Sequence, residues 1–487
     1  MTTEHVDVLI VGAGISGVGG AYHLQTQCPD KTYAILEGLD SFGGTWWTHK
    51  YPGVRSDSDL YTFGYRFKPW VGAPIASAEE ILKYMGEVIE ENHIDKHIRY
   101  NHWINDASWS SEDQLWTVEG KRKDSGAPFK YTCNFLYMCQ GYYKHSKGYT
   151  PEWEGTDDFE GHIVHPQTWP EDLVYKDKKV LVIGSGATTA TVVPAMAADC
   201  EHITVLQRSP TYFTPAKNEN VTADHLRKLG IDEAWIHEIV RREVLFNQEE
   251  FTQMAIEHPE EVKKELLAGV QACLPEGYDM KHFTPNYRPW QQRLAFVPDG
   301  DLFQGISAGK ASMVTDEIER FTKTGVLLKS GQEIEADIVV TATGFNLCVL
   351  GDINFSIDGK PVDFADTVTY RGMMFTGVPN MAWVFGYFRA SWTLRADLVG
   401  DFVCRLLNHM DEKGVQSVTP TLRDEDEGMP RLDWIDAENF NPNYLQRSMH
   451  LMPKRGDKPE WMHNQDYWKE KEEIPVINLN DPAFAYQ

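Results

Sequence analysis

Val6-Asp7-Val8-Leu9-Ile10-Val11-Gly12-Ala13-Gly14-Ile15-Ser16-Gly17 is the stretch whose reading decides the fold class. Val6–Val11 is β-branched and apolar, as a strand buried on both faces should be. The glycine-rich turn follows without a break. Val18 to Gln27 then reads as a helix, and Tyr33-Ala34-Ile35-Leu36 as a second strand ending at Glu37. Glu37 stands 20 residues after Gly17. Strand, turn, helix, strand and terminal acid are thus all in the places that a dinucleotide-binding unit requires. Gly12, Gly14 and Gly17, with Ser16 on the same turn, allow the backbone to approach a pyrophosphate at a helix N-terminus. The Glu37 carboxylate can accept both hydroxyls of an adenosine ribose.

The pattern recurs. Lys179-Val180-Leu181-Val182-Ile183 is a second buried strand, followed by Gly184-Ser185-Gly186-Ala187-Thr188-Thr189-Ala190, a helix to about Ala198, and strand Ile203–Leu206. Thr189 takes the place of the third glycine, which loosens the expected helix–strand contact. Where the first copy has Glu37, the second has Gln207-Arg208-Ser209-Pro210. A carboxylate there would repel a 2′-phosphate, whereas a guanidinium and a hydroxyl bind one. The second copy therefore reads as an NADP site. Each half closes on a strand ending in glycine, Asn134–Gly141 and Ala336–Gly344. The fold class is α/β, with two Rossmann-like dinucleotide-binding domains and a helical insertion.

Composition limits the rest. The chain has 487 residues and a net charge of -26, from 72 acidic and 46 basic side chains, which argues against a nucleic-acid partner. Its 15 Trp, 21 Tyr and 22 Phe suit apolar pockets. The cysteines, Cys28, Cys133, Cys139, Cys200, Cys273, Cys348 and Cys404, are odd in number and show no C-x-x-C spacing. Neither a disulfide framework nor a zinc site is expected. With no signal-peptide pattern and no run of about 18 apolar residues, the expected location is cytoplasmic, without a transmembrane segment.

Between these landmarks the chain is read as follows. Residues 78–100 are expected to form one amphipathic helix carrying His93 and His97 four apart; without H-E-x-x-H context they read as a solvated face. Trp103 to Val118 and Phe129 to Tyr131 suggest short strands. Residues 216–290 interrupt the second half, with helices expected over Leu226–Phe251 and Glu260–Ala272 broken near Pro259. After Gly344 a strand is expected over Asn380–Phe388 and a helix over Leu394–Met410, completing the first domain. The charged, Trp-bearing tail from Asp424 is expected to be irregular and to wrap the surface. The domains are accordingly 1–145 with 346–487 (FAD-binding, discontinuous), 146–215 with 291–345 (NADP-binding), and the insertion 216–290.

Two further stretches carry a resemblance. Phe159 to Pro170 reads F-x-G-x-x-x-H-x-x-x-W-P, at Phe159, Gly161, His165, Trp169 and Pro170. Read alone it is a linker, with no helical or strand period, yet rich in aromatic rings. Gly43 to Asp57 reads G-G-x-W-x-x-x-x-Y-P-G-x-x-x-D. Together these resemble the fingerprints of the class B flavoprotein monooxygenases, in particular the type I Baeyer–Villiger monooxygenases. The likeness covers most of the chain and is nearest to a mycobacterial branch, as in Tyr51–Asp59 and Ala390–Leu394.

The resemblance implies FAD in the first site, with Thr45, Trp46 and Asp57 beside it, and NADPH in the second, with Ser185, Gly186, Ala187, Thr188, Arg208, Ser209 and Gln292. It implies that NADPH reduces FAD, that O2 adds at the flavin C4a, and that the resulting peroxyflavin converts a ketone to an ester or lactone. Arg293 matches the family's active-site arginine and Asp57 the carboxylate that orients it. Gln292 stands where family members often carry a Lys for the 2′-phosphate, which leaves more of that task to Arg208. Phe159, Gly161, His165 and Trp169 read as hinge and docking residues rather than chemical ones. The expected partners are O2 and a small hydrophobic ketone or sulfide. The alternatives are an enzyme that mainly oxidises sulfur or nitrogen, and a non-enzymatic FAD/NADPH redox sensor.

Overall fold

The computed structural model describes residues 3–487 and contains two main sheets. The first has nine strands. Its centre is parallel: Glu4–Val11 pairs with Tyr33–Leu36 on one side and Pro128–Met138 on the other. Ile98–Arg99 extends it beyond Tyr33–Leu36, and Met381–Trp383 joins the far half of Pro128–Met138. The near half of that long strand runs antiparallel to Leu115–Arg122, which continues to His102–Ser110. Period-two alternation divides the centre between two cores. Val8, Ile10, Ile35, Phe135 and Tyr137 pack on one face, while Leu9, Val11, Leu36, Leu136 and Met138 pack on the other.

The second sheet is all parallel, in the order Ala311–Thr315, His202–Gln207, Lys179–Ile183, Ile338–Thr341, His162–Val164. The edge strand comes from the Phe159–Pro170 stretch, which is therefore not without strand structure. His162–Val164 pairs with Ile338–Val340, and Pro166–Thr168 adds a 3-10 turn. Three residues are too few for a period to show.

The chain passes between the sheets twice, and the two passages are laced together. Lys144 N donates to Asn346 O at 2.8 Å, Cys348 N to Tyr142 O at 3.0 Å, and Tyr149 N to Gly344 O at 3.0 Å, around an antiparallel pairing of Tyr143 with Leu347.

Other expectations are modified. The helix from residue 78 spans Ala78–Glu91, opened by a Ser77/Glu80 capping box, and does not reach residue 100. His93 adopts a left-handed backbone (φ 55), Ile94–His97 is 3-10 and Ile98–Arg99 is strand, so His93 and His97 share no helix face. The insertion holds three helices, Val221–Lys228, Glu233–Glu257 and Pro259–Cys273. The extra break falls at Gly230, with Asp232 capping the next helix through a 2.9 Å bond from Ala234 N. This insertion joins both cores: Ile236 and Val240 pack into the first domain, Val270 into the second. The strand expected over Asn380–Phe388 is only Met381–Trp383, but the helix expected over Leu394–Met410 is longer, Trp392–Lys413. The tail does wrap the molecule, and it also completes its interior, since Trp434 and Trp461 are fully buried. Among the described residues no helix is long and apolar enough to cross a membrane.

Candidate active site

A cleft of about 980 Å³ runs between the two glycine-rich turns. That is at the upper end of the roughly 300–1,000 Å³ usual for small-molecule sites, so it has room for more than a substrate. Every catalytic and cofactor-binding candidate named from sequence lines it except Gly17. Gly17 lies beneath the turn, where an added Cβ would sit 1.9 Å from the Gly12 carbonyl oxygen. The second copy solves the same crowding differently. Thr189 points its hydroxyl at the equivalent carbonyl and donates to Gly184 O at 3.0 Å. The threonine thus makes a bond where a looser contact was expected.

At the first end, the helix Ile15–Gln27 begins at Gly14 with no side-chain cap and no acid in its first turn. Its free N–H groups suit an anion. Trp392 Nε1 donates to Ser16 Oγ at 2.8 Å. Glu37 is buried, and its two oxygens accept from Ala13 N (2.7 Å) and Leu39 N (2.8 Å). Burial raises its pKa, and the two N–H bonds oppose that rise. Each oxygen keeps a lone pair for a ribose hydroxyl. Thr45 Oγ1 and Tyr143 Oη are hydrogen-bonded at 2.5 Å, and Trp46 packs edge-on against Phe63. These features fit FAD.

At the second end, the helix Ala187–Ala197 also begins uncapped, at Gly186. Gly184 (φ +127) lies so close to the closing strand that a Cβ would meet Ala342 O at 2.3 Å. Ser185 Oγ bonds Thr211 Oγ1 at 2.9 Å and donates to Ser209 O at 3.2 Å, shaping the loop that carries Arg208. Arg208 is exposed along the cleft. This donor set fits the phosphates of NADP.

Between the ends stands one ion pair. Arg293 Nη2 donates to Asp57 Oδ2 at 2.7 Å, each side chain being about one-third exposed (35% and 34%). Arg293 Nε has no partner. Burial opposes the guanidinium charge, but the Asp57 carboxylate outweighs it and raises the pKa. Arg293 is held from behind: Asn441 N donates to Gln291 O at 2.9 Å, Arg389 Nε to Trp290 O at 3.1 Å, and Trp290 is left-handed at φ 61. Gln292 Nε2 is 3.5 Å from Asn441 Oδ1. Asp57 follows Ser56, whose N–H donates to Ala76 O at 2.8 Å, and Arg55, whose Nη1 donates to Asp301 Oδ2 at 2.5 Å across to the second domain. Tyr142 and Tyr444 share this part of the cleft, their pKa values raised by burial. Tyr142 stacks on Trp392 with centroids 5.2 Å apart.

The four fingerprint residues do not line the cleft. Phe159 packs against Phe321 behind the second sheet, and a Cβ on Gly161 would meet Asp337 O at 2.3 Å. Trp169 packs against the core on that sheet's opposite face. His165 alone reaches the laced crossing. Its Nε2 donates to Gly344 O at 3.1 Å, its Nδ1 accepts from Gln167 N at 3.1 Å, and burial lowers its pKa. Gln167 Nε2 in turn donates to Lys144 O (2.7 Å) and His145 O (3.0 Å).

Comparison with known proteins identifies the family. The NAD(P)-binding Rossmann-like domain family matches residues 10–69, and the flavin-binding monooxygenase-like family matches residues 74–220. The FAD-containing monooxygenase EthA of Mycobacterium tuberculosis is 47% identical over 488 residues, covering 99% of this chain and 98% of EthA. The chain belongs to the FAD-containing monooxygenases. Two solved structures share the fold of this monooxygenase across nearly its whole length. An oxidized steroid monooxygenase bound to NADP has TM-score 0.79 and 22% identity, with 99% of each chain covered. A cyclohexanone-bound cyclohexanone monooxygenase has TM-score 0.75 and 19% identity, with 100% of each covered. The monooxygenase fold thus brings together two uncapped helix N-termini, one ion pair and an aromatic wall. Sequence reasoning missed Tyr142, Tyr444 and Arg447 on that wall. Tyr142 was within reach, because it follows Gly141 as Phe345 follows Gly344, and both rings line the cleft.

Proposed function

We propose that this monooxygenase performs Baeyer–Villiger oxidation, converting ketones to esters or lactones, and that the same cleft oxidises sulfides. FAD and NADPH are its cofactors, and when bound they supply the hydride transfer and the oxygen chemistry. Gly12, Gly14, Ser16 and Glu37 hold the FAD adenosine and pyrophosphate, while Thr45 and Trp46 lie alongside. Gly184 to Thr188, Ser209 and Gln292 border the NADP site, with Arg208 directed to its 2′-phosphate.

The observation that carries the reading is the Arg293–Asp57 pair, at 2.7 Å, inside the cleft between the two nucleotide turns. Negative charge develops on a ketone oxygen when its carbonyl carbon is attacked. A guanidinium fixed in advance stabilises that charge without reorganising. Arg293 remains protonated throughout, and Asp57 sets its orientation by a charge-assisted bond. With only Nη2 of Arg293 engaged and its side chain about one-third exposed, other guanidinium N–H groups remain for substrate or cofactor. Tyr142, Trp392 and Tyr444 form an apolar wall that excludes water.

An oxygen-electrode and product screen of the FAD-loaded enzyme with NADPH tests this, using a linear ketone, a cyclic ketone and an aryl sulfide. The expected result is substrate-dependent oxygen uptake and products one oxygen heavier. Sulfoxide formation with no ketone turnover would move the assignment to heteroatom oxidation. NADPH oxidation at one rate regardless of substrate, yielding only peroxide, would overturn it.

A further inference from the structure

The sequence reading leaves the 2′-phosphate with one strong cation, because Gln292 stands where a lysine would be useful. The structure supplies a second cation from an unexpected place. Arg447 lies in the C-terminal tail, on the short helix Asn443–Ser448, three residues after Tyr444. Residues three apart share a helix face. Both side chains line the cleft, Tyr444 near Arg293 and Arg447 towards Arg208. One turn of the tail therefore spans the site from the ion pair to the second nucleotide fold.

Three features mark Arg447 as an anion ligand rather than a structural tie. First, neither Arg447 nor Arg208 has a carboxylate within salt-bridge distance among the described residues, although acidic side chains outnumber basic ones by 72 to 46. Glu317, which shares that end of the cleft, is already bound by Lys329. Second, the Arg447 guanidinium carbon sits over the Tyr149 ring, 3.4 Å from its centroid, with only a long contact from Nη2 to Phe345 O at 3.4 Å. Contact with the ring face holds the cation in place without using its N–H groups, which stay available to an oxyanion. Third, two like charges share one wall. Burial lowers the Arg447 pKa, Tyr149 opposes this, and Arg208 adds to the lowering.

We infer that Arg447 and Arg208 together hold the 2′-phosphate of NADP, so that the C-terminal tail takes part in choosing NADP over NAD. The inference rests on the second nucleotide fold being the NADP site.

The test is calorimetric binding of NADP+ and NAD+ to the FAD-loaded enzyme, comparing wild type, Arg447→Ala, Arg447→Lys and Arg208→Ala. Arg447→Ala is expected to weaken NADP+ binding about tenfold or more, the scale of one charge-assisted contact, and to change NAD+ binding less than about twofold. Arg447→Lys is expected to keep part of the preference, and FAD content and melting temperature report whether each variant is folded. An equal loss for NADP+ and NAD+, or no loss for either, would overturn the role of Arg447. If Arg208→Ala still lowers the NADP+ preference, the site reading survives that failure. If neither variant changes the preference, the NADP site itself is misassigned.

Discussion

Arg293 combines two properties that are costly to hold together, a fixed charge and partial burial, and Asp57 makes the combination stable. Removing either member leaves the other charged in a low-dielectric cleft. Arg293→Ala should lower ketone oxygenation by roughly a hundredfold or more, the scale seen when one preorganised donor is lost. NADPH oxidation should continue, with peroxide replacing product; the ratio of peroxide to ester measures it. Unchanged ester formation would remove Arg293 from the chemistry. At this scale the sequence was informative wherever a residue sits in a repeated frame. Glu37 and Arg208 stand at corresponding strand ends, and Tyr142 and Phe345 at corresponding glycines. Tyr444 and Arg447 belong to no repeat, and nothing local distinguishes them from other tail residues. Only the packing of the tail brings them to the cleft.

Helices show the opposite balance, because their existence was legible and their junctions were not. The helix Ile15–Gln27, which follows the first glycine-rich turn, lies against Trp392–Lys413, some 375 residues later in the chain. A buried charge cluster joins them. His23 Nε2 donates to Asp397 Oδ1 at 3.0 Å, His23 Nδ1 lies 3.3 Å from Asp401 Oδ1, and Gly400 closes over the ring. Burial alone would lower the His23 pKa, but the two carboxylates outweigh it and raise it to about 9. A raised histidine contributes stability that is complete below its unfolded value, near 6.5, and is lost as pH climbs through 9. The contribution at stake is on the order of 3 kcal/mol. Urea unfolding of wild type and His23→Gln at pH 6, 7, 8 and 9 should show the wild type losing more stability than the variant across that range. Parallel curves would mean the cluster does not titrate with unfolding. No reading of either helix alone could find this contact. Likewise, the early end of Ala78–Glu91 follows from a left-handed His93 that no propensity demands.

At the scale of the molecule, the repeat made the two nucleotide folds and their order evident, while the tail, expected only to wrap the surface, also places Trp434 and Trp461 in the interior. Composition cannot distinguish a buried indole from a surface one when the surrounding residues are charged. The crossing between the folds offers a test of their coupling. His165 ties the edge strand of the second sheet to Gly344 in that crossing. His165→Ala should slow NADPH-dependent flavin reduction several-fold in stopped flow and leave FAD content intact. Loss of FAD with normal reduction kinetics would show that the residue supports the first fold instead. The order of the strands also has a consequence for synthesis. The last strand of the second sheet ends at Thr341, whereas the first sheet still awaits Asn354–Ile357 and Met381–Trp383, the covering helix Trp392–Lys413, and Trp434 and Trp461. A chain emerging from the ribosome can therefore complete the second sheet while one face of the first, carrying Leu9, Val11, Leu136 and Met138, still lacks Met381, Trp383 and Trp434. The N-terminal sheet is thus the later of the two to receive its last strands. Until Met452 has been made, more than a hundred residues after Thr341, that face lacks part of its apolar cover.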